Sequence, residues 1–520
     1  MRKLLMAVFL CAATAAVAQK QKAPKTANPV PYAATITPDD LKKHLYIVAS
    51  AEMEGRETAT PGQKKAAAYI ENHFKSLGLA PGNNGQFQQM YPVFQDSIVS
   101  SAMEVNGKKF EANKDFAVNM NGSNTSTLFG GEVVFVGYGI SDSVRNDYAG
   151  VNTRGKIVLI LAGTPPTPAP AQPAPGTTPA RRGFNPFATQ EAAAKNGAAA
   201  ILMVQTNFPR RAGNARGNMY VNGFRKVNYP NTWAISEAVA EAIMGGDYAA
   251  AKEAMKAGNP VAKSYNSNVF LDYQKATTKL ESSNVIGFLE GGDLKDEYVV
   301  LSAHYDHLGK RDDKTIYYGA DDDGSGTVSV LELAEAFVKA KAEGKGPRRS
   351  IVFITVSGEE KGLWGSAYYG DHPTYPLEKT TVNLNIDMVG RIDPKRKNGD
   401  STNYVYVVGD DKLSSDLKPI SEGVNKKYTK MELDYKYNDP NDQERIYYRS
   451  DHFNFAKKGV PIIFYFNGTH NDYHRPTDTP DKIDYLQMSK RAQLVFYTAW
   501  EMANRNDMLK RDIPLDAQFR

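Results

Sequence analysis

In the C-terminal half of this 520-residue chain, histidines and carboxylates stand at the ends of apolar runs. His304 lies in SAHYDHLG, Asp322 in GADDDGSG, Glu360 in SGEEKGLWGS, Asp387 in NIDMVG and His474 in NDYHRPTDT. Imidazole nitrogens and carboxylate oxygens are donors suited to Zn²⁺, and the set contains no cysteine. Two such ions about 3.5–4 Å apart need one ligand that reaches both, and a carboxylate with two oxygens does this. The set therefore reads as the metal ligands of a two-zinc hydrolase. Glu359, beside Glu360, points in a different direction from its neighbour. It can stay off the metal, take a proton from a water and pass it to a departing amine.

Each local pattern also has an ordinary explanation. Three consecutive aspartates, Asp321 to Asp323, usually make a solvated turn or a calcium loop. Here they lie between glycines that permit unusual backbone angles, after a strand-linked histidine and before a helix, which favours the metal reading. Ser325 is positioned to cap that helix. Asp306, two residues beyond His304, is a candidate to orient the second ring nitrogen of that histidine. His307 is left outside the set. Two adjacent glutamates are commonly a solvated pair, but RRSIVFITVSGEEKGLWGS is too apolar on one side for that.

The elements that must position these residues alternate strand and helix. Apolar runs at Tyr298–Ala303, Ile351–Val356, Val382–Ile386 and Val460–Phe466 predict buried strands, with Asn284–Glu290 an outer one. Helical spacing marks Gly326–Lys341, with Val330, Leu333, Ala334 and Phe337 on one face, and Gln487–Asn504. The pattern predicts an α/β fold, a mostly parallel mixed sheet sandwiched by helices. In such sheets ligands bind beyond the carboxyl ends of the strands, where His304, Glu359, Glu360 and Asp387 fall.

Upstream, Thr37 to Pro92 reads as a first part of the same domain, with Ala67, Ile70, Phe74 and Leu77 sharing a helix face. Residues 93–280 change character. The succession VGYG, DYAG, GKIVLI and AAAKNGAAAILMV resembles a protease-associated (PA) domain, which implies a β-rich insert acting as a lid or as a stability module. Its Pro-, Ala- and Thr-rich stretch 163–186 is expected to be an exposed flexible loop. The catalytic domain resumes over 281–507, and 508–520 read as a tail.

Residues 1–18 read as a secretory signal: Arg2 and Lys3, the apolar run Leu4–Leu10, and Ala16-Val17-Ala18 before Gln19. This implies export to the periplasm or the exterior, with 19–36 as a linker. The apolar run is shorter than the ~20 residues of a membrane span, so no stable membrane insertion is expected. Cys11 follows Leu10, where lipidation wants a small residue, and it is the chain's single cysteine. Loss of the signal leaves no disulfide, thiolate nucleophile or cysteine-ligated metal. A formal charge of +5, with scattered lysines and arginines, carries no nucleic-acid message.

AHYDHLG, GADDDGSGTVSVLELAEAF, IVFITVSGEEKGLWGS, NIDMVGR, SDHFNFAKKGVPIIFYF and YHRPTDTPDKID, with the upstream GRETATPG segment, resemble the two-zinc aminopeptidases of the bacterial leucyl aminopeptidase and aminopeptidase Y type. The resemblance implies a zinc exopeptidase fold of the phosphorylase/hydrolase-like kind and a secreted metallopeptidase removing N-terminal residues from peptides. It puts the bridging carboxylate on Asp322, one ion with His304 and Asp387, and the other with Glu360 and His474. Glu359 becomes the general base and acid, Asp306 the partner of His304, and Tyr473 a phenol near the substrate oxygen. The family's cis peptide falls on Asp322–Asp323. His452 and His470 match no ligand position. Rival readings are an exopeptidase acting from the carboxyl end or on dipeptides, a glutaminyl-cyclase-like acyltransferase, and a non-catalytic receptor-like module. The first would need a basic pocket, the second uses one zinc, and the third would have lost ligands.

Overall fold

An uninterrupted apolar strand must be covered on both faces, and Arg349–Val356 is buried at every residue. The computed structural model describes residues 27–120, 122–165, 187–213, 215–221, 228–259 and 261–515. The expected signal segment, most of the Pro-rich loop and residues 516–520 lie outside the described residues.

The chain forms two units. One is split in sequence, running up to Met90 and again from Ser283, and the other is Tyr91–Ser282. The sequence reading put this boundary at 93–280. In the split unit the main helices are α1 (Pro38–Val48), α2 (Pro61–Ser76), α3 (Gly326–Ala342) and α4 (Tyr485–Asn504). Its strands are β1 (Leu294–His304), β2 (Arg349–Val356), β3 (Thr380–Ile386), β4 (Tyr404–Val408), β5 (Glu432–Asp434) and β6 (Ile462–Phe466). The order β5-β4-β6-β3-β1-β2 continues into the end of the strand Ala262–Leu289. The central run β6-β3-β1-β2 is parallel, while β4 joins β6 and Val285–Leu289 joins β2 antiparallel.

Alternation along the strands sends residues to two cores. Val299, Leu301, Ala303, Ile351 and Phe353 pack with α1 to α4. Val300, Val352, Ile354 and Val356 pack on the other side with Tyr369, Phe455 and Ala456, from the helices Trp364–Asp371 and His452–Lys457. Helices cover both faces, as an α/β sheet requires. None of the described helices is long and apolar enough to cross a membrane.

Three further expectations of the sequence reading differ. Val30–Ala33 is helical, and Tyr32, Ala33 and Ile36 are buried. Tyr32 stacks on Trp500 with ring centroids 5.7 Å apart, so this stretch, read as linker, is anchored by an aromatic contact remote in sequence. Leu509, read as tail, is also buried, and its N–H donates to Thr381 Oγ1 at 2.9 Å. Ser325 is not a cap: its hydroxyl donates to the Asp321 carbonyl at 2.8 Å, and Asp323 Oδ1 receives the Gly326 N–H instead, also at 2.8 Å.

The inserted unit has its own apolar cores. Ser126–Val136, Ile157–Leu161, Ala200–Val204 and Asn231–Ile235 form a parallel series. The helices Ala188–Lys195, Glu237–Met244 and Asp247–Lys256 accompany it. In the split unit, Ser283 Oγ donates to Gln88 Oε1 at 2.9 Å and Asn284 Nδ2 to Gln89 Oε1 at 3.0 Å. The outgoing and returning strands of the chain thus lie side by side.

Candidate metal centre

Parallel registry brings the strand ends together. His304, the last residue of β1, pairs with Val356 of β2, and Ser302 pairs with Asn385 of β3. The turn Ser357-Gly358, with Gly358 at φ 76°, then presents Glu359 and Glu360. Asp387 immediately follows β3, and the loop after β6 carries His474.

The loop before α3 sorts its three aspartates. Asp321 Oδ1 accepts the Gly390 N–H at 2.7 Å. Asp323 accepts from Gly326 and Met388 on one oxygen and from His304 N–H on the other, at 2.8, 3.0 and 3.2 Å. These two carboxylates tie the loop to the strand ends. Asp322 alone turns into the site, steadied through its own N–H, which donates to Asp478 Oδ2 at 3.2 Å. The Asp322–Asp323 peptide is cis. A side chain at Gly326 would bring a Cβ within 2.3 Å of the Ile386 carbonyl, so glycine is required there.

Asp322 faces two ways. Its Oδ1 is 3.2 Å from His304 Nε2 and its Oδ2 is 3.1 Å from His474 Nε2. On the first side, Asp387 Oδ2 is 3.7 Å from His304 Nε2. On the second, Glu360 Oε2 is 3.1 Å from His474 Nε2. All five expected donors converge. Bonds of ~2.0–2.1 Å in a tetrahedron separate ligand atoms by ~3.3 Å, close to these spacings. His304 Nε2, His474 Nε2, Asp322 Oδ2 and Glu360 Oε1 are buried and make no hydrogen bond. Buried polar atoms without partners are costly, and a cation on each side of Asp322 would answer all four. The residues present fit zinc.

Glu359 stands beside the first group, its Oε2 3.9 Å from His304 Nε2 and one ligand atom each of His304, Glu359 and Asp387 within 4.8 Å of the others. Burial, partly offset by His304 and reinforced by Glu360 and Asp387, raises its carboxyl well above the ordinary value. Its N–H donates to Asp306 Oδ1 at 3.2 Å. Asp306 serves His304 differently from the expectation. Its main-chain carbonyl is 3.1 Å from His304 Nδ1, whereas its carboxylate is 3.6 Å away and accepts the Thr58 hydroxyl at 2.7 Å. Tyr473 stacks on His474 with centroids 3.9 Å apart, and its oxygen accepts from Arg449 at 3.2 Å.

Sequence spacing had no means of including His307, since the strand period ends at His304. Its Nδ1 lies 2.7 Å from Glu360 Oε1 and 3.8 Å from Asp322 Oδ2, fully buried. Ser450 was also missed; its hydroxyl donates to Asp387 Oδ2 at 2.6 Å. Arg56, in the GRET motif, donates to the carbonyls of Tyr305, Val48, Tyr318 and Gly319 at 2.7–2.9 Å. His470 pairs with Asp321 at 3.2 Å, and His452 bonds the Tyr447 carbonyl at 2.8 Å. A cavity beside the carboxylates has an apolar wall of Met388, Ile446, Phe464 and Phe466.

Residues 284–499 match the model of peptidase family M28. This part of the chain is similar to that family. The M28 region is 32% identical over 217 residues to a probable leucine aminopeptidase of Arthroderma otae, covering 41% of this chain and 56% of that protein. It is 26% identical to aminopeptidase YwaD of Bacillus subtilis, covering 44% and 47%. The chain thus spans about half the length of these curated relatives. The fold is similar to that of the aminopeptidase from Aneurinibacillus sp. strain AM-1. That similarity has 21% identity and a TM-score of 0.54, and covers 94% of this chain and 99% of that one.

Proposed function

We propose that this chain is an exported zinc aminopeptidase that hydrolyses the first peptide bond of peptides, with two ions held about Asp322. The observation that carries the reading is the division of the Asp322 oxygens between His304 and His474. His304 and Asp387 would hold one ion, Glu360 and His474 the other. Bound zinc supplies Lewis acidity toward a water and the scissile carbonyl. Glu359 accepts a proton from that water at its carboxylate and returns it to the departing amine. Asp306 keeps the main chain at Glu359 in place through the Glu359 N–H. The Tyr473 phenol assists at the substrate carbonyl oxygen, its own oxygen held by Arg449. Met388, Ile446, Phe464 and Phe466 favour an apolar N-terminal side chain, and the adjacent carboxylates favour a free α-ammonium group.

The names of the M28 relatives support the aminopeptidase reading over the rivals, as does the presence of every ligand. Residues 1–18 direct export, and Tyr91–Ser282 is a PA-type insert, a reading supported by its order of strands and helix. The test is a panel of leucyl, N-blocked and N-terminal glutaminyl substrates, with and without chelator. The expected result is turnover of free-amine leucyl substrates only, lost with chelator and restored by zinc. Chelator-resistant turnover, equal turnover of blocked peptides, or cyclisation of the glutaminyl substrate would overturn the reading.

A further inference from the structure

Away from that centre, three helices of the split unit bring together a second set of donors. α1 supplies His44, α2 supplies His73, and α3 supplies Glu332 and Glu335, which share a face at i, i+3. His73 Nε2 is 3.3 Å from Glu335 Oε1; His44 Nε2 is 3.5 Å from Glu332 Oε1 and 3.7 Å from Glu335 Oε1. One ligand atom each from His44, His73 and Glu335 lies within 4.8 Å of the others. The two rings meet edge to face, centroids 4.7 Å apart at 82°.

Hydrogen bonding does not account for the cluster. His73 Nε2 and Glu332 Oε1 are buried and make no hydrogen bond. His44 Nδ1 is 2.7 Å from Tyr69 Oη. His44 is therefore held through one nitrogen and offers the other, the arrangement in which a second partner fixes a metal-binding histidine, and His73 offers its buried Nε2. Lys43, nearby, is committed to Asp40 at 2.7 Å.

We propose that His44, His73 and Glu335, with Glu332 as fourth donor, form a structural site for a zinc-class divalent ion that pins α1, α2 and α3 together. Donor spacings of 3.3–3.7 Å approach the ~3.3 Å of a tetrahedral site with bonds of ~2.0–2.1 Å. His44, His73 and Glu335 converge; with Glu332, 3.5 Å from His44 Nε2, turned in as the fourth donor no position would be left open, the mark of a structural and not a catalytic ion. Glu335, 39% exposed against 1% for Glu332, lines the entry path.

The test uses the full chain and zinc itself. Metal-free protein is titrated with Zn²⁺, and bound metal is counted by mass spectrometry for wild type, His73→Gln and Glu335→Gln. The expected result is loss of one tight equivalent in either variant, its affinity falling at least ~10-fold, while leucyl-substrate turnover is unchanged. A chain also carrying Asp322→Ala and Glu360→Gln should keep this one equivalent and, loaded with Co²⁺, show tetrahedral visible absorption. Equal zinc stoichiometry in wild type and both variants overturns the proposal, as does absence of any residual equivalent in the Asp322→Ala/Glu360→Gln chain. Should His73→Gln fail to fold, Glu335→Gln at the exposed edge decides alone.

Discussion

At the scale of single residues, Glu359 and Glu360 are chemically identical neighbours that the backbone sends to different tasks. Glu359→Gln keeps the shape and removes the base, so bound zinc should persist while turnover falls by roughly 10²–10⁴-fold. Glu360→Gln should lose zinc first. Bound metal and turnover, measured for both, check the division; metal loss equal in the two would refute it. His307 gives a second case. Its ring lies 2.7 Å from Glu360 Oε1, so His307→Ala should weaken zinc binding ~10–100-fold, the usual cost of losing a partner that orients a ligand; competition with a chromogenic chelator would measure it. The glutamates were legible because a strand-turn-EE pattern has a chemical meaning. His307 was not, because its approach to Glu360 depends on how the chain turns after β1, which no period encodes. Asp322 could be singled out only by resemblance, since the hydrogen bonds that occupy Asp321 and Asp323 come from residues far along the chain.

At the scale of elements, the loops past the strand ends are fastened by buried charge. Arg56 is wholly buried and serves four carbonyls across three segments. Burial lowers its pKa to about 10 against the pull of Asp306 and Asp322, so it stays cationic at neutral pH. Arg56→Met should cost at least ~3 kcal/mol, since each buried acceptor left bare costs ~1–3 kcal/mol; urea unfolding checks it. Asp410, just past β4, gives a pH signature. Burial, partly offset by the Asn438 hydrogen bond, pushes it up to about 7. Because the folded value lies above the unfolded ~3.9, the folded chain holds the proton more tightly, and stability falls as pH rises from about 4 to about 7. Asp410→Asn removes the titration, so its stability relative to wild type should improve between pH 4 and pH 8 by up to ~4 kcal/mol. A pH-independent difference would contradict the assignment. Apolar runs revealed β1, β2, β3 and β6. β5 escaped because Glu432–Asp434 is only three residues long, and its pairing with Tyr404–Tyr406 supplies what its sequence lacks.

At the scale of the whole molecule, two units with separate cores share one chain. Gln88 and Gln89 hold Ser283 and Asn284, so the two crossings adjoin and the insert is, for the M28 region, a long loop. Replacing residues 91–282 by a short Gly/Ser linker should leave the metal centre able to bind zinc, because loop-closure entropy grows only with the logarithm of length. Zinc titration of that protein checks it, and an unfolded product would show that the insert is indispensable to the fold. The change of composition near residue 93 was visible in the sequence. The burial of Tyr32 and Leu509 was not, since each depends on one contact with a distant element.

The split unit also imposes an order on synthesis. α1 and α2 pack in one core with α3 and α4, yet the ribosome delivers α3 and α4 only after Tyr91–Ser282 has emerged. At ~5–20 residues per second that wait is on the order of 10–40 s. Once it is over the insert has its whole sequence to fold on, while the apolar faces of α1 and α2 still have no partner. Nascent chains arrested just before Ser283 should therefore carry a protease-resistant insert and a protease-sensitive segment upstream of Met90.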